Sequence, residues 1–418
     1  MPFMKRVVIT GLGALTPLGN DVATYWDHLL RGVSGARPIT SFDASLFRTQ
    51  FACDLKNFNP ADFLDKGTIR RTDPYVQYAL VAADQAIQDS GLDFNTMDPL
   101  DTGVVWGSGQ GGMKTFEEEV KEYTKGNYMP RFNPFFVPKI ISNMAAGLIS
   151  IKYGLMGINY AVVTACSTSN TAIMDALNYL RLGKAKVIIT GGSEAPITEA
   201  AVGGFSSMKA MSNNNDDPAT ASRPFDPTRN GFVLGEGAGA LVLEELEHAL
   251  ARGATIYGEV AGAAMTADAY HMTGSHPDGL GSYHAMRLAI KDAGLEPADV
   301  AYINAHATST PVGDPSEAKA IARVFGAAAD QLHVSATKSM TGHLLGGAGA
   351  VEAIATILAI RNNIIPPTIN TREIDPEIPP QLNIVLNEPL KKPVAVAMSN
   401  TFGFGGHNSS VVFKQYDN

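Results

Sequence analysis

Short apolar runs rich in Val and Ile recur along the whole chain, and between them lie stretches whose apolar residues return at helical spacing. That alternation restricts the chain to an α/β fold with largely buried sheets. Strands are expected near residues 6–10, 102–106, 160–165, 186–191, 240–244, 256–261, 300–305 and 394–399, with a last strand at 409–413. Helices are expected near 75–90, 140–153, 244–252, 282–293 and 348–361. Gly11, Gly13 and Pro17 read as the turn that ends the first strand. Each half of the chain has a strand ending in a reactive residue, Thr164-Ala165-Cys166 in one and Asn304-Ala305-His306 in the other. A duplicated α/β unit is expected, residues 1–253 carrying the cysteine and residues 254–418 two histidines, with the site where the halves meet.

Composition removes several classes of function. The formal net charge of −9 argues against general affinity for nucleic acid, which needs a basic face. No apolar run approaches the roughly 18 residues of a membrane span. The start, Met4-Lys5-Arg6 before Val7-Val8-Ile9, superficially resembles a signal peptide, but glycines break the run and a first strand is the better reading. With only Cys53 and Cys166 there is no disulfide framework and no cysteine-built metal site, which fits a reducing cytoplasm. Gly107-Ser108-Gly109-Gln110-Gly111-Gly112 matches the dinucleotide fingerprint, but patterns this short arise often by chance, and a tight turn is the better use of such residues. No cofactor and no metal are expected. Gly235-Glu236-Gly237-Ala238-Gly239 reads as close strand packing.

The chemistry centres on Cys166, placed where an apolar run ends and Ile173, Ala176, Leu177 and Leu180 begin a helical period. A thiol at a helix N-terminus meets partial positive charge and unpaired N–H groups, so it is expected to ionise more easily than a free one. A lone cysteine is more often buried and inert, so the reading depends on the residues that accompany it. His306 lies in Asn304-Ala305-His306-Ala307-Thr308-Ser309-Thr310, and Lys338-Ser339-Met340-Thr341-Gly342-His343 supplies a second imidazole. A thiolate nucleophile needs one base, so two histidines and Lys338 point to a second substrate whose charge is managed after the thiol is acylated. Two neutral imidazoles donating to a thioester carbonyl would stabilise the enolate left when a malonyl thioester loses carbon dioxide, and that enolate would attack the acyl carbonyl on Cys166. Lys338 is expected to hold His343 in its tautomer or to meet Glu352. In Gly403-Phe404-Gly405-Gly406 the flexible backbone lets the Phe404 ring move, and the N–H groups of Phe404 and Cys166 are candidates for an oxyanion hole, about 3 kcal/mol of barrier for one donor.

Taken together these motifs resemble the elongating β-ketoacyl-acyl carrier protein synthases of the synthase II type, along nearly the whole chain. The likeness rests on Val8-Ile9-Thr10-Gly11-Leu12-Gly13, Thr164-Ala165-Cys166, Gly231-Phe232-Val233-Leu234-Gly235-Glu236-Gly237-Ala238-Gly239, the two histidine segments and Gly403-Phe404-Gly405-Gly406. The resemblance implies a thiolase-like fold of five layers, α-β-α-β-α, usually a homodimer, with a Cys-His-His site. By position it implies Cys166 as acylated nucleophile, His306 and His343 as the pair acting on the malonyl thioester, and Lys338 as their support. It also implies Thr308 and Thr310 as partners of the pantetheine arm, Phe404 as a gate and Phe205 as tunnel lining. Gln110 stands where members often have an apolar residue at the tunnel end, so an amide is expected to cap or shorten the pocket. Ala307 and His407 are lesser departures, in place of a frequent glycine and of a threonine. The implied partner is acyl carrier protein, an acidic protein, for which Lys66, Arg70, Arg71, Arg131 and Lys209 are candidate members of a basic rim at the tunnel mouth.

Other readings are weighed by single residues. A thiolase is expected to carry a second cysteine near its C-terminus, and none follows Cys166. An initiating synthase is expected to have asparagine at the position of His343. A non-catalytic chain-length subunit is expected to lack the nucleophile. A ketosynthase of a discrete polyketide pathway would use the same site, and the absence of fused acyltransferase or carrier segments in 418 residues favours fatty-acid elongation.

Overall fold

The computed structural model describes residues 4–417. Eleven strands form one hydrogen-bonded ladder. In chain order they are β1 (Val7–Leu15), β2 (Thr102–Gly107), β3 (Asn159–Val162), β4 (Val187–Glu194), β5 (Gly237–Glu245), β6 (Gly258–Ala267), β7 (Tyr302–Asn304), β8 (His333–Ser335), β9 (Asn383–Ile384), β10 (Val396–Gly403) and β11 (His407–Lys414). Across the sheet they run β9-β8-β7-β10-β11-β6-β1-β5-β4-β2-β3.

With the two-residue β9 set aside, both halves have one topology. β1 to β5 lie in the order third, second, fourth, fifth, first, and β6, β7, β8, β10 and β11 repeat that order. In each half the fifth strand is antiparallel to both neighbours while the remaining pairs are parallel. The halves join where β1 meets β6, with Val8 opposite Glu259 and Ile9 opposite Gly258.

Six helices complete the layers: α1 (Pro74–Ser90), α2 (Met144–Tyr153), α3 (Thr168–Arg181), α4 (Leu280–Asp292), α5 (Gly313–Phe325) and α6 (Ala348–Asn362). The strand period of two assigns each side chain to a layer. Val104 and Trp106 of β2 pack with α1 and α2, whereas Val105 between them packs with α3 and α6. In the other half Val411 and Phe413 of β11 join α3 and α6, and Val412 meets α4 and α5. The result is five layers, with α3 and α6 in the middle. Residues 348–360 of α6 are all buried, as expected of a helix covered on every side.

Two local expectations change. Gly11 and Gly13 do not end β1, which runs on to Leu15. A Cβ on Gly11 would lie 2.1 Å from Ala86 O and one on Gly13 2.0 Å from Ala82 O, so these glycines let α1 lie directly on the strand. The turn comes later, where Thr16 and Gly19 exchange backbone hydrogen bonds. The helix expected from Glu244 starts at Leu246, because Glu244 is a buried residue of β5 whose carboxylate accepts from Thr10 Oγ1 (2.8 Å) and Arg252 Nε (2.8 Å). Among the described residues no helix is long and apolar enough to cross a membrane.

Candidate active site

A single 3₁₀ turn, Ala165–Ser167, carries the chain from β3 into α3 and places Cys166 at the N-terminal end of the central helix. Ala165 has φ 50°, a left-handed conformation that costs a non-glycine residue about 1 kcal/mol. Thr168 helps hold the bend, its Oγ1 donating to Ala165 O (2.7 Å) and accepting from Thr164 N (2.8 Å). β10 closes in from the other half. A Cβ on Gly403 would sit 2.9 Å from Cys166 N, so only glycine lets the next residue, Phe404, bring its N–H to the sulfur.

The histidines come from the ends of the second and third strands of the second half. His306 follows β7, and the carboxylate of Glu317 on α5 accepts the N–H groups of His306 (2.9 Å) and Ala307 (2.8 Å). His343 follows β8 and is held by its backbone, donating to Val233 O (2.7 Å) and accepting from Gly235 N (2.9 Å). The two rings lie 5.3 Å apart and nearly perpendicular, at 86°. Phe232 packs edge-on to His343 at 5.4 Å.

Cys166, His306 and His343 share one cavity of about 420 Å³. Its wall also includes Phe205, Thr308, Thr310, Lys209, Phe402 and Phe404. The Thr308 and Thr310 hydroxyls are 3.2 Å apart. Phe205 lies 6.4 Å from Phe404, ring centre to ring centre. Lys338 and Glu352 stand behind the wall as a buried ion pair, each side chain 1 % exposed, Nζ donating to Oε1.

Burial decides the protonation states. It pushes the Cys166 thiol up to about 12, with the Lys338 charge and the Phe404 N–H pulling the other way. The easily ionised thiol expected at a helix N-terminus is therefore not found, because removal from water outweighs those favourable groups. Cys53 is also pushed up to about 12 by burial, yet it borders no such cavity and packs against Gly342. Both imidazoles are held well below the ordinary histidine value, by burial first and by Lys338 second, so both are neutral. Lys338 thus acts on the histidines through its charge. It does not hold the tautomer of His343, and Nδ1 of each ring is buried without a partner. Glu352 and Glu317 are raised to about 7 by burial.

Other expectations need correction. Gln110 is not on the cavity wall. Its N–H donates to Glu194 (3.1 Å) and its side-chain Oε1 is buried without a partner. Of the proposed basic rim, only Lys209 borders the cavity. Lys66, Arg70 and Arg71 lie on the short helix Lys66–Arg71, with Arg71 over the Phe135 ring at 5.5 Å, and Arg131 is in an exposed stretch of coil. Sequence reading missed Glu317 and Glu194. Each is an ordinary acidic residue in the sequence, and only the fold shows it buried against backbone N–H groups of the site loops.

The turn into α3 has a counterpart. Leu345 (φ 49°) opens the 3₁₀ turn Leu345–Gly347 into α6, with Gly346 at the place Cys166 holds in the first half. A thiol on one such bend, in a cavity with two neutral imidazoles from the other half, is a condensing arrangement. The family comparison agrees, with the description "Beta-ketoacyl synthase, N-terminal domain" matching residues 4–249 and "Beta-ketoacyl synthase, C-terminal domain" matching residues 257–372. The chain belongs to the β-ketoacyl synthase family. A relative from Staphylococcus aureus (strain COL), named 3-oxoacyl-[acyl-carrier-protein] synthase 2, is 51% identical over 99% of both chains. A β-ketoacyl synthase from Burkholderia phymatum is similar in structure, with a TM-score of 0.92 and 34% identity over 99% of this chain and 100% of that one. A ketosynthase solved in complex with a type II PKS acyl-carrier protein has a TM-score of 0.91 at 32% identity, again over 99% and 100% of the two chains.

Proposed function

We propose that this β-ketoacyl synthase elongates acyl chains by decarboxylative Claisen condensation with malonyl-acyl carrier protein. Acyl-carrier thioester meets the Cys166 thiol, which passes its proton to a neutral imidazole as sulfur attacks, and the carrier thiol leaves with a proton. The N–H groups of Cys166 and Phe404 hold the tetrahedral oxyanion. Malonyl-carrier then enters, its thioester carbonyl accepting hydrogen bonds from His306 and His343. Carbon dioxide leaves, and the enolate carbon attacks the acyl carbonyl. Collapse expels the Cys166 sulfur as a thiolate, which takes a proton from solvent, and releases 3-oxoacyl-carrier.

The observation that carries this reading is the pair of neutral imidazoles on the wall that also holds Cys166. A cationic pair would attract the malonyl carboxylate and oppose its loss. Thr308 and Thr310 serve the pantetheine arm, Phe205 the acyl chain, Phe404 the gate, and Lys338 with Glu352 the electrostatics behind the histidines. Lys209, exposed and on the cavity wall, is the basic residue placed to meet an arriving acidic carrier. Fatty-acid elongation is favoured over polyketide synthesis by the 51% identity to the synthase 2 relative against 32% to the polyketide ketosynthase.

The same reading divides the chain at residues 253 and 254, supported by the repeated strand order and by family matches that stop at 249 and resume at 257. It makes the enzyme a cytoplasmic homodimer. Supporting this are two free thiols, and the sheet-edge strand β3 followed by an exposed Val163. The test is a product assay with acyl-carrier and malonyl-carrier substrates. A 3-oxoacyl product longer by two carbons, with release of carbon dioxide, is expected, and hydrolysis of the acyl thioester without carbon–carbon bond formation would refute the reading.

A further inference from the structure

Thr308 and Thr310 sit on a loop whose backbone is fixed from behind by two buried side chains, Asp314, which accepts the Thr310 N–H (3.3 Å), and Arg229, which holds its carbonyls. Arg229 is buried, its side chain 3 % exposed. Its Nε donates to Thr310 O (3.0 Å) and one terminal nitrogen to Pro311 O (2.9 Å), while the other reaches Asp226 O (2.9 Å) and the Asp375 carboxylate (2.5 Å). Asp375, with the Asp314 carboxylate 3.9 Å from Nε, balances the charge, and the guanidinium N–H groups reach the two loop carbonyls.

The segment that follows Arg229 ties this loop to the reacting centre. Gly231 N–H donates to Ser309 O (3.0 Å). Two residues further on, Val233 O accepts the His343 N–H, and Phe232 between them packs on the His343 ring. One strap therefore sets the threonine loop and the second histidine relative to each other.

We propose that Arg229 is a positioning residue, fixing the Thr310–Pro311 backbone so that the two threonines grip the pantetheine arm in register with His343. This rests on the reading of Thr308 and Thr310 as arm-binding groups. Arg229 touches no substrate. Its loss should penalise substrates in proportion to their dependence on the arm, which a general weakening of the fold would not do.

The test compares malonyl-carrier protein with the S-ethyl thioester of malonate, which has no arm amides, in Arg229→Met and Arg229→Lys. Arg229→Met should raise KM for malonyl-carrier by about tenfold or more beyond any change with the S-ethyl thioester. Arg229→Lys should recover part of that loss, and iodoacetamide should still alkylate Cys166 in both. Equal losses on the two substrates would overturn the proposal. If Arg229→Met does not fold, the same two substrates decide the matter on Arg229→Lys, where a selective rise in carrier KM supports the role and equal losses overturn it. Thr308→Val combined with Thr310→Val separates the two ideas. An unchanged carrier KM there sinks the threonine reading itself, whereas a raised KM there with none in the Arg229 variants sinks only the role of Arg229.

Discussion

The two halves make the same bend at the head of their central helices and use it for opposite ends. Before α3 the bend follows Ala165 (φ 50°) and turns Cys166 toward the cavity. Before α6 it follows Leu345 (φ 49°), but the residue on it is Gly346, whose N–H donates to Glu194 Oε2 (3.1 Å) and whose carbonyl accepts from Ser169. The ends of the second strands differ likewise. His306 lies three residues before Ser309 (φ 67°) and opens on the cavity, while Ser108 lies three before Gly111 (φ 64°) and gives its hydroxyl to Glu194 (2.7 Å). One scaffold thus provides paired positions. A buried carboxylate holds both strand-end loops, Glu317 at His306 and Glu194 at Ser108, so chemistry resides where the side chain itself is left free for the cavity and structure where the carboxylate takes the side chain as well.

The contrast is tested hardest by Cys166→Ala, which should lower condensation by roughly 10⁶-fold while circular dichroism and melting show an intact fold. Next in size is Lys338→Met. It leaves Glu352 buried and unpaired, and urea unfolding should show a loss of about 3–5 kcal/mol. His306→Asn or His343→Asn should slow decarboxylation about a hundredfold, with acyl loading of Cys166 persisting in a rapid-quench assay.

On the structural bend, Gly346→Ala should act on stability instead. Its Cβ would lie 2.5 Å from Gly109 N and 3.1 Å from Glu194, a clash costing about 1–3 kcal/mol in thermal unfolding. Iodoacetamide reaction of the folded fraction at Cys166 should persist.

The smallest expected effect is one of pH. Because both imidazoles are held well below the ordinary 6.5, lowering pH through 6.5 should leave them neutral, and decarboxylation should stay level from pH 8 to about 6. A fall with its midpoint at 6.5 would show that burial does not control them. The unfolded chain takes up histidine protons in that same range and the folded site does not, so these two groups make folding less favourable as pH drops below 6.5.

Much of this was legible in the sequence because alternation and residue type are local signals. The paired strand ends, Cys166, His306, His343 and the glycines around Phe404 all follow from short segments. Burial is not local, and there the sequence reading went astray. Gly11 and Gly13 look like a turn until α1 is seen lying on them. The Cys166 thiol looks activated until its surroundings are seen to be dry. Glu317 and Glu194 carry no sequence mark, since a buried carboxylate and an exposed one are spelled alike. The basic residues were assigned to one rim by charge, whereas the fold gives only Lys209 a place at the cavity.

In the proposed reaction the acyl chain rides on the cysteine of one bend and leaves it under attack from a partner prepared by the histidines of the other half. Peptide mass mapping after mixing the enzyme with acyl-carrier protein, repeated after adding malonyl-carrier protein, follows that chain at each stage. Acyl mass is expected on Cys166 after the first addition, and it should disappear on the second as the elongated 3-oxoacyl product forms. Acyl mass on any other residue, or acyl-Cys166 that survives malonyl-carrier, would show that the chain travels by another route.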